Sequence, residues 1–306
     1  MPAGDGETLG RLATEARNPA TERMDELSTM EMLALINDED AKVAVAVRAE
    51  LGNVARAVDA IAERFGRGGR LFYIGAGTSG RLGVLDASEC PPTFDVDAGL
   101  VRGLIAGGDA ALRLSSEHSE DSREEGARDL AGAGFLKSDT LVGIAASGRT
   151  PYVLGAMEYA KGSGGLTVGL SCVPDSLVAR AAEIAITPAT GAEVLTGSTR
   201  MKAGTATKMV LNMISTGVMV RTGATFGNLM VNVRPTNAKL VDRAERIVGE
   251  AVGCDKARAA ALLEEAGRDV KVAIVMGRMG VGRAEAAERL EGARGVLKIG
   301  LGSKQL

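Results

Sequence analysis

Two loops of similar composition carry residues that could hold a phosphate group. Residues 75–81 read Gly-Ala-Gly-Thr-Ser-Gly-Arg, and residues 146–150 read Ala-Ser-Gly-Arg-Thr. Each loop places Ser-Gly-Arg between a short apolar run and a helical pattern, where glycine permits close approach of the backbone and the helix start offers unpaired amides. The pattern predicts a metal-free cradle for a phosphorylated small molecule. The residues expected to contact the substrate are Gly77, Thr78, Ser79, Gly80, Ser147, Gly148, Arg149 and Thr150.

A third stretch repeats the theme at the start of a long helical pattern. Residues 196–200 read Thr-Gly-Ser-Thr-Arg, which adds Ser198 as a candidate donor. Lys202 in the first turn could meet a phosphate, although a solvated helix face fits it equally well. Glu193, just before the loop, could hydrogen-bond sugar hydroxyls.

A bound nucleotide is the weaker interpretation of the first loop. Residues 75–80 match G-x-G-x-x-G in letters, but the dinucleotide fingerprint also needs an acidic residue at the end of the next strand. The next apolar run, residues 100–105, ends in Ala-Gly-Gly instead. The chain also lacks the G-x-x-x-x-G-K-[ST] pattern, so the sequence favours a sugar phosphate.

Two carboxylates, Glu89 and Glu120, could provide acid–base chemistry. Glu89 precedes a Pro-Pro pair that we expect to end a helix, which would place Glu89 in its last turn. Glu120 lies beside two serines that could cap the next helix, which would place it at that helix's start. The helix dipole disfavours an anion at the C-terminus and favours one at the N-terminus, so Glu89 would be the acid and Glu120 the base. The alternative for each is an ordinary solvated carboxylate at a helix end.

The elements that must position these residues alternate between strand and helix. Five short apolar runs alternate for the most part with helical stretches, a pattern typical of a parallel sheet covered by helices on both faces. Ligands of such sheets bind at the carboxyl ends of the strands, where the candidate loops lie. The predicted strands are 71–74, 100–105, 140–145, 167–172 and 184–187, and the predicted helices are 79–89, 120–132, 150–162 and 176–183.

Three segments differ in character. Residues 1–50 are rich in acidic residues and predict a helical arm, with a helix start at Ser28. Residues 51–235 hold the sheet and a long helix, 199–222. Its inward side chains are expected to be Met209, Val210, Met213, Ile214 and Val218. Residues 236–306 carry short helical patterns with glycines at the expected helix ends, which predicts a small helical module.

Composition excludes several classes of protein. The formal net charge is −3, Trp is absent and aromatic residues make up 3%, which argues against a nucleic-acid partner. One His and three scattered Cys cannot build the common zinc sites, so we expect no metal and no disulfide scaffold. No apolar stretch reaches 18 residues and no signal peptide is visible, so we expect a cytoplasmic protein without a membrane partner.

These residues resemble the N-acetylmuramic acid 6-phosphate etherase family. The resemblance is carried by the first loop with its helix, residues 75–93, by residues 143–152, and by residues 196–205. Residues 226–230, Phe-Gly-Asn-Leu-Met, and the early Asn-Pro-Ala-Thr at 18–21 also match. The resemblance covers nearly the whole chain.

The resemblance implies an α/β sugar isomerase (SIS) domain followed by a three-helix, ubiquitin-associated-like (UBA-like) module, assembled as a homodimer. It implies a lyase that cleaves a lactyl ether with water, giving N-acetylglucosamine 6-phosphate and D-lactate without a metal or redox cofactor. Glu89 as acid and Glu120 as base carry over from the family motifs.

Three other functions remain open. A sugar-phosphate sensor related to the glucokinase regulatory protein would use the same scaffold, although such proteins are larger. An aldose–ketose isomerase would move a proton between C1 and C2 without releasing lactate. A DNA-binding sugar-sensing regulator is disfavoured by the acidic N-terminal segment.

Overall fold

The computed structural model describes residues 14–114, 118–233, 235 and 237–302. Their contacts divide the chain into two compact units. Of the described residues, one unit holds those up to 88 together with those in 99–215, and the other holds 89–98 together with those from 216 onward. The boundaries expected at 50/51 and 235/236 stay predictions, since this division groups the arm with the sheet.

The first unit is built on a five-stranded sheet in the order β2-β1-β3-β4-β5. Every neighbouring pair is parallel, which confirms the predicted parallel sheet. All residues of β1, β3 and β4 are buried, as expected for strands covered on both faces. The strands are β1 (Leu71–Gly75), β2 (Val101–Ile105), β3 (Thr140–Ile144), β4 (Leu166–Leu170) and β5 (Ile184–Ile186).

Among the residues that the structure describes, eight helices begin in this unit. They are α1 (Thr29–Asp40), α2 (Val43–Ala49), α3 (Leu51–Phe65), α4 (Gly77–Phe94), α5 (Arg123–Gly132), α6 (Pro151–Gly162), α7 (Leu177–Ala181) and α8 (Lys202–Arg221).

Helix α1 of the arm begins at the predicted residue. The Ser28 hydroxyl accepts a hydrogen bond from the Glu31 amide while the Glu31 carboxylate accepts one from the Ser28 amide, a reciprocal capping box. Residues 43–65 form two helices, α2 and α3, which meet at Glu50.

Helix α4 corrects the expectation for Glu89. The prolines at 91 and 92 lie inside the helix, which continues to Phe94. Glu89 is therefore not in the last turn, and the helix-dipole argument for an acid at this position no longer holds.

Helix α8 also differs in detail from its prediction. It begins at Lys202 rather than at residue 199. Val210, Ile214 and Val218 are buried as expected, but Met213 is exposed, so the predicted inward stripe is wrong at that position.

The second unit contains a short hairpin, β6 (Thr225–Phe226) with β7 (Leu229–Met230), and a set of helices with their own apolar core. Asn237, Asp255 and Asp269 cap the starts of three of these helices by accepting backbone amides. Its helices are α9 (Ala238–Val252), α10 (Lys256–Glu265), α11 (Val270–Met279), α12 (Arg283–Gly292) and α13 (Leu297–Gly300).

Within the described part of the chain, no helix is both long enough and apolar enough to cross a lipid bilayer.

Candidate active site

The two Ser-Gly-Arg loops follow neighbouring strands of the sheet. Strands β1 and β3 pair directly, with Gly75 opposite Ile144 at their carboxyl ends. The strand order reverses direction at this pair, since β2 lies on one side of β1 and β3 on the other. Open α/β sheets bind ligands in the crevice at such a switch point. The sheet therefore brings the two predicted phosphate loops to one place.

The first loop runs straight into helix α4. Gly77 has φ +52° and begins the helix, so Thr78, Ser79 and Gly80 form its first turn. A Cβ on Gly80 would lie 2.6 Å from the Gly75 carbonyl oxygen, so only glycine allows the helix to start this close to β1. Thr78 and Ser79 are half-buried, beside the unpaired amides of a helix start.

The second loop is held in place by the segment that follows β4. Gly148 has φ +69°, and a Cβ there would lie 2.2 Å from the Ser176 Cβ. The Gly148 carbonyl accepts the Val178 amide at 2.9 Å, and the Ala146 carbonyl accepts the Cys172 amide at 2.9 Å. These bonds leave Ser147 half-buried at the loop.

The two loop arginines differ in their contacts. The Arg81 guanidinium donates to the backbone carbonyls of Ala111 and Leu112 at 2.8 and 3.1 Å, so it ties α4 to the segment after β2. For Arg149, no ion pair or hydrogen bond joins its guanidinium to the other residues that the structure describes. Of this pair, Arg149 is the cation available to an anionic ligand.

The third loop places Glu193 and Lys202 in the protein interior. Glu193 is fully buried, and its two oxygens accept the amides of Lys202 and Ala203 at 2.9 Å each, at the start of α8. The Lys202 ammonium donates to Glu39 of the arm at 2.7 Å. Glu193 and Lys202 were expected to contact the substrate. In the structure both side chains are buried and paired, and they position the start of α8. Ser198 remains half-buried in the loop.

Glu39 accepts hydrogen bonds from three residues. Its buried carboxylate accepts Lys202, Lys42 and the Asn18 amide group. Burial acts to raise the pKa of Glu39, but these three hydrogen bonds outweigh it and lower the pKa to about 2. The anion is therefore the stable form, and sequence reasoning missed it because Glu39 lies in an Asp-Glu-Asp run typical of a solvated surface.

The arm also bonds the chain just before the third loop. The Thr21 hydroxyl donates to the Val194 carbonyl at 2.8 Å, and the Asn18 amide group donates to the Ala192 carbonyl at 3.4 Å. Residues 18–42 thus hold the segment that leads into the loop.

Glu120 lies beside the second loop. It ends a short 3₁₀ turn, His118–Glu120, and helix α5 begins three residues later with Ser122 as its cap. The prediction that Glu120 lies at a helix start is therefore corrected, since it precedes the cap. Its Oε1 accepts a hydrogen bond from the Thr150 hydroxyl at 3.3 Å.

Glu89 is exposed on α4 and belongs to the second compact unit, whereas Glu120 belongs to the first. One turn before Glu89, the buried Asp86 accepts the Asn212 amide group at 2.6 Å and the Ser215 hydroxyl at 3.1 Å. These bonds join α4 to α8. Sequence reasoning missed Asp86, whose only signal was its place within the motif helix.

A cavity of about 730 Å³ lies between β2 and α5. Tyr152 of α6 lines it and donates to Asp129 at 2.8 Å. None of the predicted site residues lines this cavity.

Among the residues that the structure describes, no three His, Cys, Asp or Glu side chains cluster as metal ligands would. Burial raises the pKa of the Cys172 thiol to about 12, so that thiol is not a nucleophile at neutral pH.

Comparison with known proteins gives consistent matches. The family model described as the glucokinase regulatory protein N-terminal SIS domain matches residues 53–161. An N-acetylmuramic acid 6-phosphate etherase of Clostridium botulinum is 53% identical over 290 residues, 95% of this chain and 96% of the relative. The corresponding proteins of Aeromonas hydrophila and Salmonella agona are each 55% identical, over 94% and 96% of this chain and 97% and 99% of their own.

A phosphoheptose isomerase structure from Neisseria gonorrhoeae matches with a TM-score of 0.47 and 15% identity, covering 62% of this chain and 98% of that one. The etherase relatives decide the assignment, because their identity extends over nearly the full length of both sequences. The chain belongs to the N-acetylmuramic acid 6-phosphate etherase family.

Proposed function

We propose that this protein is a lyase that cleaves the D-lactyl ether of N-acetylmuramic acid 6-phosphate. Water is consumed, and N-acetylglucosamine 6-phosphate and D-lactate are formed. The observation that carries the proposal is the 53–55% identity to etherases over about 95% of the chain. The two Ser-Gly-Arg loops at the switch point of the sheet support it, since they provide a place for the 6-phosphate.

The reaction proceeds by elimination and then hydration. Ring opening exposes an aldehyde at C1, which acidifies the hydrogen on C2. A base removes that proton, an acid protonates the lactyl oxygen as its bond to C3 breaks, and a C2–C3 double bond results. Water then adds, with its hydroxyl at C3 and its proton at C2. The phosphate grip, remote from C2 and C3, supplies binding energy that holds the reacting carbons in place.

Glu120 is the base for the C2 proton and Glu89 the acid for the lactyl oxygen in this proposal. The motifs shared with the family support both roles, and Glu120's place beside the second loop supports its own. Exchange of the C2 hydrogen with solvent needs only the base, whereas lactate release needs both groups. Glu89→Gln should therefore retain exchange into a product analogue while losing lactate release, and Glu120→Gln should lose both, each by about 10²- to 10⁴-fold. If instead Glu120→Gln keeps the exchange and Glu89→Gln loses it, Glu89 is the base and Glu120 the acid.

We propose that the substrate is contacted by loop residues whose side chains are not already committed to other contacts among the described residues. These are Gly77, Thr78, Ser79, Gly80, Ser147, Gly148, Arg149 and Ser198. Glu193 and Lys202 position the start of α8 instead, because their polar atoms are already engaged.

The decisive experiment measures lactate release from N-acetylmuramic acid 6-phosphate by the purified protein. Stoichiometric lactate and N-acetylglucosamine 6-phosphate would support the lyase. Binding without turnover would point to a regulator, and an isomerised sugar without lactate would point to an aldose–ketose isomerase. Activity should also persist after exhaustive chelation, since the proposed chemistry uses no metal or redox cofactor.

We also propose a cytoplasmic homodimer. Several large apolar side chains of the arm are exposed, with Met30 76% and Val45 70% accessible, and a second copy would cover such positions. Light scattering should give twice the chain mass of 31.4 kDa.

A further inference from the structure

The hydrogen bond between Thr150 and Glu120 gives Thr150 a role different from the one its loop suggests. Thr150 ends the second Ser-Gly-Arg loop and is 9% exposed. Its hydroxyl lies 3.3 Å from Glu120 Oε1, which is longer than the roughly 2.5–3.0 Å usual for a hydroxyl donor. Catalytic hydrogen bonds are often long in the free protein and shorten when substrate binds.

Among the described residues, Glu120 is the one hydrogen-bond partner of the Thr150 hydroxyl. It occupies the N-cap position of α6, where a threonine side chain commonly accepts a backbone amide of the first turn. That capping bond is not made here, and Pro151 follows at the first helical position. The side chain is therefore turned to Glu120 rather than to its own helix.

The helices that follow the two residues, α5 after Glu120 and α6 after Thr150, pack closely against each other. A Cβ on Gly126 of α5 would lie 1.8 Å from the Tyr152 carbonyl oxygen, and a Cβ on Gly155 of α6 would lie 2.0 Å from the Arg123 carbonyl oxygen. The two helices thus touch through their backbones within a few residues of Glu120 and Thr150. Such close packing lets little movement separate the pair.

A hydroxyl has one hydrogen to donate. A carboxylate oxygen and a phosphate oxygen both need that hydrogen, so Thr150 cannot donate to Glu120 and to the substrate phosphate at once. From the sequence alone, Thr150 could either bind the phosphate or support Glu120. The observed hydrogen bond to Glu120 favours the second role.

We propose that Thr150 is a positioning residue for the base Glu120 and does not bind the 6-phosphate. Its hydroxyl donates to Oε1, and Oε2 is then the oxygen that takes the C2 proton. This inference rests on the proposed function, in which Glu120 removes that proton.

The test compares Thr150→Val, which keeps the shape and removes the hydroxyl, with Thr150→Ser, which keeps the hydroxyl. Loss of a hydrogen bond to a charged group should lower kcat by about 10- to 100-fold in Thr150→Val, with KM changed less than about twofold. C2 hydrogen exchange should slow by the same factor, and Thr150→Ser should restore most of both rates. A raised KM with unchanged kcat in Thr150→Val would instead identify a phosphate ligand and overturn the proposal.

A double variant separates this inference from the proposed function. In the Glu120→Gln background, adding Thr150→Val should cause no further loss of C2 exchange, because the two residues act as one unit. An additional loss of about tenfold or more would show that Thr150 acts independently and would overturn the inference. If Glu120→Gln alone keeps full exchange, the assignment of the base fails before Thr150 is considered.

Discussion

The Lys202 ammonium lies 2.7 Å from Glu39 Oε2, and both side chains are almost completely buried, at 3% and 5% exposure. They are 163 residues apart in the chain, one in the N-terminal arm and the other at the start of α8. The pair joins the arm to α8, the helix that follows the third loop at residues 196–200. Because a buried charge without its partner is costly, each residue depends on the other.

Lys202→Met should therefore destabilise the fold by about 3–5 kcal/mol, since it leaves the Glu39 carboxylate buried with one donor fewer. Urea unfolding measures this directly. Lys208→Met, an exposed lysine of the same helix, is the matched control and should change little. The double variant with Glu39→Gln should cost less than the sum of the single variants, and equal costs for Lys202→Met and Lys208→Met would disprove the dependence.

Glu39 should also contribute to acid sensitivity. Its pKa is lowered from 4.5 to about 2 in the folded protein, so its stabilising contribution is complete above the unfolded pKa and is lost as pH falls toward about 2. The shift corresponds to a contribution on the order of 3 kcal/mol. The unfolding free energies of the natural protein and of Glu39→Gln should therefore converge as pH falls from neutral to about 3. Parallel profiles would contradict the assignment.

Gly126→Ala should destabilise the protein and slow lactate release together. The added Cβ would meet the Tyr152 carbonyl oxygen at 1.8 Å, which forces α5 away from α6 at a cost of about 1–3 kcal/mol. Gly132→Ala on the same helix meets nothing within 4 Å and should leave stability the same or slightly higher. Thermal unfolding and a lactate assay on both variants check this, and similar behaviour of the two would refute the close crossing.

Ser79→Ala and Ser147→Ala should each raise KM about tenfold, with little change in kcat, if each hydroxyl donates one charge-assisted hydrogen bond to the phosphate. Ser163→Ala is a suitable control, because its hydroxyl bonds only the Tyr159 carbonyl at the end of α6 among the described contacts. Initial-rate kinetics on all three variants provide the measurement. Unchanged KM in both loop variants would remove these serines from the phosphate site.

Arg149→Gln and Arg81→Gln should fail in different ways. Arg149 has no described partner to lose, so its loss should raise KM while the unfolding free energy stays nearly constant. Arg81 holds two backbone carbonyls, so its loss should lower the unfolding free energy by about 1–3 kcal/mol. Paired kinetic and unfolding measurements decide this, and the opposite pattern would exchange the roles of the two arginines.

Much of the sheet could be predicted from the sequence. The predicted ends of β1 to β5 lie within two residues of the observed ones. The reason is clearest for β1, β3 and β4, because strands buried on both faces appear as continuous apolar runs. The Ser-Gly-Arg loops could be found for the same reason, because glycine and hydroxyl residues directly follow such runs. The capping box at Ser28 is equally local, with both partners inside one turn.

Helix ends were less well predicted. The Pro-Pro pair at 91–92 favours a helix end, yet α4 continues through both residues to Phe94. A proline only biases the backbone around it, so it indicates a boundary without determining one.

The remaining features depend on residues that lie far apart in the chain. That β1 and β3 are neighbours follows from strand order, which no local pattern encodes. Which acid of the Asp-Glu-Asp run at 38–40 is buried depends on where Lys202 arrives, and whether the Thr150 hydroxyl meets Glu120 depends on how closely α5 approaches α6. Hydrophobic patterning and turn chemistry act over a few residues and so determined the elements and candidate loops from sequence alone. Ion pairs and hydrogen bonds act over a few ångströms in space, so only the tertiary structure decided which of the candidate groups could contact one another.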